Sequence, residues 1–179
     1  ILNGIDVESY NPETDKNIAK NFNAKTLQKG KPECKKELRE IFGLEQDESP
    51  VMAMVTRLVA HKGLDLVRAV AENIISEGIQ LVILGTGEYA YESFFSELAA
   101  RHPGRCGVKI AFIPSLASKI YAGADMFLMP SKSEPCGLAQ MISLRYGTIP
   151  IVRETGGLRD SITDSGDGQG NGFTFKSYN

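Results

Sequence analysis

The chain has 179 residues, 42% of them apolar and 23% charged, which suits one domain with a sizeable core and excludes a disordered or fibrous class. A formal net charge of −2 supplies no basic footprint for nucleic acid or an anionic membrane. Three cysteines (Cys34, Cys106, Cys136) without C-x-x-C spacing and two distant histidines argue against a disulfide framework, a zinc site and a Ser-His-Asp system, and favour a reducing compartment.

The opening residues, ILNGIDVESYNPE, lack the cationic and apolar regions of a secretory leader, and no apolar run is long enough to cross a bilayer. The absence of an initiating methionine and the ending Lys176-Ser177-Tyr178-Asn179 are expected of a piece of a longer protein. Residues 1–50 are rich in Asn, Asp, Lys, Pro and Gly and hold one expected helix, Lys31 to Phe42, closed by Gly43. From Val51 onward strands and helices alternate. The expected strands are 51–58, 80–84, 108–112, 126–129, 149–152 and 173–175. The expected helices are 63–77, 92–101, 116–122, 138–146 and 158–162, and 164–171 (DSGDGQGN) reads as a flexible loop.

Strands that are apolar almost throughout are buried on both faces, as in a parallel sheet. Repeated βα units of this spacing imply an α/β fold with a doubly wound, Rossmann-like sheet, whose ligands bind at the carboxyl ends of the strands. The segments at those ends carry the candidate chemistry. Arg57 and Lys62 flank the first such loop and suit a diphosphate, the guanidinium by its bidentate grip and the ammonium as a point charge. Two solvated surface cations are the plainer alternative. Gly85-Thr86-Gly87 is read as a tight turn, with close backbone approach to a ligand as the other option.

The segment 131–138 (SKSEPCGL) leads from a strand into a helix start, where free N–H groups and the positive dipole end favour an anion. Glu134 there cannot hold a phosphate, because the two anions would repel; it can accept hydrogen bonds from sugar hydroxyls. Cys136 by itself reads as a packed small residue. Thr155-Gly156-Gly157-Leu158 repeats the strand, glycine pair and helix pattern, with its N–H groups as candidate phosphate donors or as a simple turn. Phe112, at the end of the third expected strand, is either core or a ring that stacks on a nucleobase.

These segments, taken in order, resemble the glycogen and starch synthases, retaining glucosyltransferases with two Rossmann-like domains facing across a cleft (the GT-B arrangement). The matching text runs from Asn3-Gly4-Ile5-Asp6 and Tyr10-Asn11-Pro12-Glu13 through Thr56-Arg57-Leu58, Lys62-Gly63-Leu64-Asp65 and Leu84-Gly85-Thr86-Gly87. It continues through Ile120-Tyr121-Ala122-Gly123-Ala124-Asp125, Glu134-Pro135-Cys136-Gly137-Leu138 and Leu144-Arg145-Tyr146-Gly147 to Thr155-Gly156-Gly157-Leu158.

The resemblance implies that residues 51–179 form the C-terminal, sugar-nucleotide-binding domain, that 1–50 are the inter-domain connection and lead-in helix, and that the N-terminal acceptor domain lies outside this chain. It implies that Arg57 and Lys62 bind the diphosphate of ADP-glucose, and that Glu134 holds the transferred glucose near the Cys136, Gly137 and Leu138 backbone. Thr155, Gly156 and Gly157 would line the phosphates, Gly85 the nucleotide, and Phe112 would stack on adenine, while Asn3 would face the sugar. It further implies no cofactor and no metal, an α-1,4-glucan acceptor such as glycogen in the whole enzyme, and a bacterial cytoplasm, or a plastid stroma in a plant. The alternatives are another retaining GT-B transferase using a UDP- or GDP-sugar, and a nucleotide-binding module without catalysis. Two departures from the wider superfamily stand out: Ile142 replaces a second Glu eight positions after the first, and Lys132-Ser133 replaces an Arg-Phe pair.

Overall fold

The computed structural model describes residues 3–179. A helix α1 (Leu27–Phe42) precedes a regular alternation of β1 (Val51–Val55), α2 (Leu64–Ser76), β2 (Gln80–Gly85), α3 (Tyr89–Arg101), β3 (Cys106–Ile110) and α4 (Pro114–Gly123). It continues with β4 (Met126–Met129), α5 (Ala139–Arg145), β5 (Ile149–Arg153), α6 (Gly156–Ser161) and β6 (Phe173–Phe175). The six strands form one sheet, ordered β3-β2-β1-β4-β5-β6, with every pairing parallel. This is the α/β Rossmann-like fold that the alternating pattern implies. The order reverses direction between β1 and β4, and a crevice opens there at the carboxyl ends of the strands.

Alternating strand residues feed two apolar layers. Val51, Ala53, Val82, Leu84 and Phe127 pack under α1, α4 and α5; Met52, Met54, Leu81 and Ile83 pack under α2 and α3. Leu64, Val67, Ala71 and Ile75 form the buried stripe of α2, at helical spacing. Ile142, at the place of the missing second Glu, is 5% exposed and belongs to the first layer.

The segment before β1 is packed against the sheet domain. Phe22 and Ile18 are buried in the first layer, and the Tyr146 hydroxyl donates to Asp15 Oδ2 at 2.6 Å. Helix α1 begins four residues before the expected Lys31 and holds Pro32 inside it. Docking of Gly30 on Phe22 supports this early turn, since a Cβ on Gly30 would lie 2.4 Å from Phe22 Cβ. Lys31 closes the same join: its Nζ donates to Ala122 O at 3.0 Å, Tyr146 O at 3.3 Å and Thr148 Oγ1 at 2.7 Å.

Two strand boundaries differ from expectation in ways that matter to the crevice. β1 stops at Val55, so residues 56–62 become a loop rather than the end of a strand. Pairing resumes for one step, Leu58 beside Gly87, with Leu58 N–H on Thr86 O at 2.8 Å. β3 spans Cys106–Ile110 rather than 108–112, because it is in register with β2 and ends opposite Gly85. Residues 164–172 form a turn closed by an isolated bridge between Asp164 and Gly172.

Candidate functional site

The β1–α2 loop folds tightly. One turn of 3-10 helix, Ala60–Lys62, ends on Gly63 at φ 76°, a left-handed backbone that favours glycine. A side chain at Gly63 would also be blocked, because its Cβ would sit 2.1 Å from Pro130 O. The loop therefore lies directly against the end of β4, and Lys132 N–H donates to His61 O at 2.9 Å. This contact brings together two residues 72 positions apart: Lys62 Nζ meets Glu134 Oε2 at 2.5 Å. Their side chains are 16% and 10% exposed, and Ser131 Oγ donates to the same carboxylate oxygen at 3.2 Å. Lys62 is thus a paired cation, not a free one, and removing either partner would leave a mostly buried charge alone.

Arg57 is exposed at the mouth of the crevice and forms no ion pair among the described residues. It shares a cavity of about 210 Å³ with Val55, Thr56, Gly85, Thr86 and Phe112, at the carboxyl ends of β1, β2 and β3. The early end of β3 leaves Phe112 in the following loop, 87% exposed, so its ring does not serve the core. An unburied aromatic face beside an apolar-lined cavity suits a planar heterocycle. Gly85 lines this cavity and also meets a steric demand of its own, since a Cβ there would lie 1.9 Å from Thr56 O.

The glycine pair opening α6 sits against the Glu134 loop. A Cβ on Gly156 would fall 2.2 Å from Glu134 O, and one on Gly157 would fall 1.8 Å from Cys136 O. Gly157 N–H donates to Glu134 O at 3.0 Å, and Thr155 N–H donates to Arg153 O at 2.8 Å. This corrects the expectation that both glycines offer N–H groups to a phosphate. The Gly157 donor is already committed, because close stacking of the two loops places it on a carbonyl. The backbone N–H groups of Gly156, Cys136, Gly137 and Leu138 have no acceptor among the described residues. Gly137 is held at φ 65°, Cys136 is an exposed free thiol, and Leu138 is 47% exposed. Asn3 lines a second cavity of about 250 Å³ with Pro135, Cys136, Gly157 and Asp160, and shares no lining residue with the Phe112 cavity.

Two polar residues that the sequence does not single out hold the site. Ser131 supplies the second hydrogen bond to Glu134. Gln140, fully buried in the first turn of α5, donates from Nε2 to Gly137 O at 3.0 Å and to Ser161 Oγ at 3.0 Å, tying the loop to α6. A glutamine in a helix carries no sequence signal for that task; only its burial reveals it. At one of the two departures from the superfamily, Lys132 Nζ pairs with Asp65 Oδ2 at 3.1 Å; nothing in the structure explains lysine rather than arginine there. No group of three metal-ligating side chains occurs among the described residues, and no helix there is long and apolar enough to cross a membrane.

The fold and loops recur in known proteins. The chain is 54% identical over its whole length to the glycogen synthase of Geobacillus thermodenitrificans and 52% identical to that of Kosmotoga olearia. It spans only 37% and 38% of those two proteins' lengths. Among solved structures, the catalytic domain of starch synthase IV from Arabidopsis thaliana, bound to ADP and acarbose, superposes with a TM-score of 0.94 at 40% identity. That comparison covers all of this chain and 38% of the other. The glycosyl transferases group 1 family profile matches residues 35–179, and the chain belongs to that family.

Proposed function

We propose that this chain is the donor-nucleotide half of a glycogen or starch synthase, transferring glucose from ADP-glucose to the non-reducing end of an α-1,4-glucan with retained configuration. One observation carries the reading: where the strand order reverses, the loop after β1 brings Lys62 onto Glu134, and the Glu134 loop holds backbone N–H groups without acceptors among the described residues. The similarity to proteins named glycogen synthase and starch synthase, the latter bound to ADP, supports the choice of sugar nucleotide and acceptor.

The chemistry follows from charge. Glycosyl transfer from a nucleoside diphosphate sugar leaves a diphosphate whose negative charge grows as the bond to the anomeric carbon breaks. Lys62 and Arg57 stabilise that charge more strongly in the transition state than in the ground state. Glu134 accepts hydrogen bonds from the sugar's hydroxyls, and the free N–H groups of Gly137 and Leu138 lie beside it. Phe112 and the cavity it borders receive the base. In this reading the cations do the work for which other transferases use a metal, and no cofactor is needed. The acceptor glucan docks on the part of the enzyme outside this chain, in the bacterial cytoplasm.

Titration calorimetry of this chain with ADP and with UDP tests the donor assignment. ADP is expected to bind at least about tenfold more tightly, the difference made by one well-fitted base contact. Equal or tighter UDP binding overturns ADP-glucose in favour of a UDP-sugar. Binding of neither overturns the donor-site reading itself.

A further inference from the structure

Lys62 and Glu134 lie on different loops, so their 2.5 Å contact depends on how those loops are held. A group of four side chains outside the crevice spans both loops. Asp65 stands at the start of α2, three residues after Lys62; Lys132 stands two residues before Glu134. Their side chains pair at 3.1 Å. Tyr178, in the segment after β6, donates its hydroxyl to Asp65 Oδ1. Its ring is flanked by cations, with Lys132 Nζ 4.8 Å and Arg153 Cζ 5.4 Å from the centroid. Arg153 also donates from Nη1 to the carbonyls of Lys132, at 3.0 Å, and Ser131, at 3.4 Å. Its buried Nε has no hydrogen-bond acceptor among the described residues.

We propose that Tyr178 is a positioning residue for transfer, acting through Asp65, Lys132 and Arg153 to set the separation of the Lys62 loop from the Glu134 loop. The contacts of the clasp tie together four segments: the start of α2, the β4–α5 loop, the end of β5 and the chain after β6. An ion pair between Asp65 and Lys132 alone would be worth little, because both side chains are nearly half exposed. The ring and hydroxyl of Tyr178 restrict both partners to one geometry. The protonation states agree: the Tyr178 hydroxyl bond is the main reason the Asp65 carboxyl is held below the usual carboxylate range. Tyr178 itself is pushed up to about 12, by burial first and then by the Asp65 charge.

This inference rests on the proposed transfer reaction, and the test separates the two. In the full-length enzyme, Tyr178→Leu removes ring and hydroxyl, whereas Tyr178→Phe keeps the ring between its cations. Tyr178→Leu is expected to lower kcat about tenfold or more, with the donor KM within about twofold and the melting temperature little changed, as for a misplaced catalytic group. Tyr178→Phe, which keeps the ring but loses the bond to Asp65, should recover part of that loss. Lys132→Gln, changed at the other end of the clasp on an exposed side chain, should reproduce the kcat loss if Tyr178→Leu does not fold. Wild-type kcat in either Tyr178→Leu or Lys132→Gln overturns the proposal, as does a loss seen only in KM, or a Phe variant as impaired as Leu. If the wild-type enzyme proves to use another sugar nucleotide, the donor assignment fails while the same variants, assayed with that donor, still decide the role of Tyr178.

Discussion

In the proposed donor site, Lys62 and Glu134 place two opposed charges where an anion is to bind. Before a donor enters, each is the other's partner, which offsets part of the cost of holding both charges away from water. When a diphosphate arrives, the ammonium has donors to spare and can serve phosphate and carboxylate together. The two residues therefore respond differently to substitution. Lys62→Ala removes a charge-assisted contact and leaves Glu134 facing the incoming anion, so ADP affinity should fall by about tenfold or more. Glu134→Gln releases Lys62 from its competitor, so ADP should bind as well as before or more tightly, while glucosyl transfer by the full-length enzyme is lost. Calorimetry of both variants checks this, and weakened ADP binding in both would contradict the roles assigned. The residue types alone suggested different roles for the cation and the carboxylate. Their direct contact was not legible, because nothing local links positions 62 and 134.

At the scale of elements, the join between α1 and the sheet domain rests on Lys31. Its ammonium sits at the carboxyl end of α4, where the last turn's carbonyls lack intrahelical donors, and it reaches Tyr146 O beyond α5 as well. Burial lowers its pKa to about 7, with the nearby Asp125 charge opposing that shift. The folded chain then binds this proton more weakly than the unfolded chain, where lysine titrates near 10.5. Between those two values raising the pH lets the folded state shed a proton that the unfolded state keeps, so the group's contribution to stability grows with pH. It is complete above the unfolded value and is lost as the pH falls through about 7. Chemical denaturation should show higher stability at pH 8.5 than at pH 6.5, and Lys31→Met should flatten the difference. A wild type whose pH dependence matches that of Lys31→Met would remove the residue from this role. Helix α1 also shows where local reading stops short: the sequence suggests a start at Lys31, yet with Gly30 packed on Phe22 the helix begins at Leu27.

For the whole molecule, the chain spans about 37% of the length of the curated relatives it matches. The chain by itself is expected to fold and bind ADP weakly but not to elongate glycogen, since the acceptor has no wall to dock against. Its ADP affinity should fall as salt is raised from about 0.05 to 0.5 M, because the exposed Arg57 is screened far more than the buried pair. Incorporation of labelled glucose into glycogen by the chain alone would overturn the first expectation, and salt-independent binding the second. By itself the sequence determined the alternation of apolar strands and amphipathic helices, the parallel α/β sheet, and which loops fall at the carboxyl ends of its strands. Each of those is written in local periodicity and in residue types at strand ends. Only the tertiary structure decided that β1 and β4 are neighbours, that Gly157 spends its N–H on Glu134 O, that Phe112 lies outside the core, and that Tyr178 grips Asp65. These depend on strand order, register and the close approach of segments far apart in the chain, which no local pattern encodes.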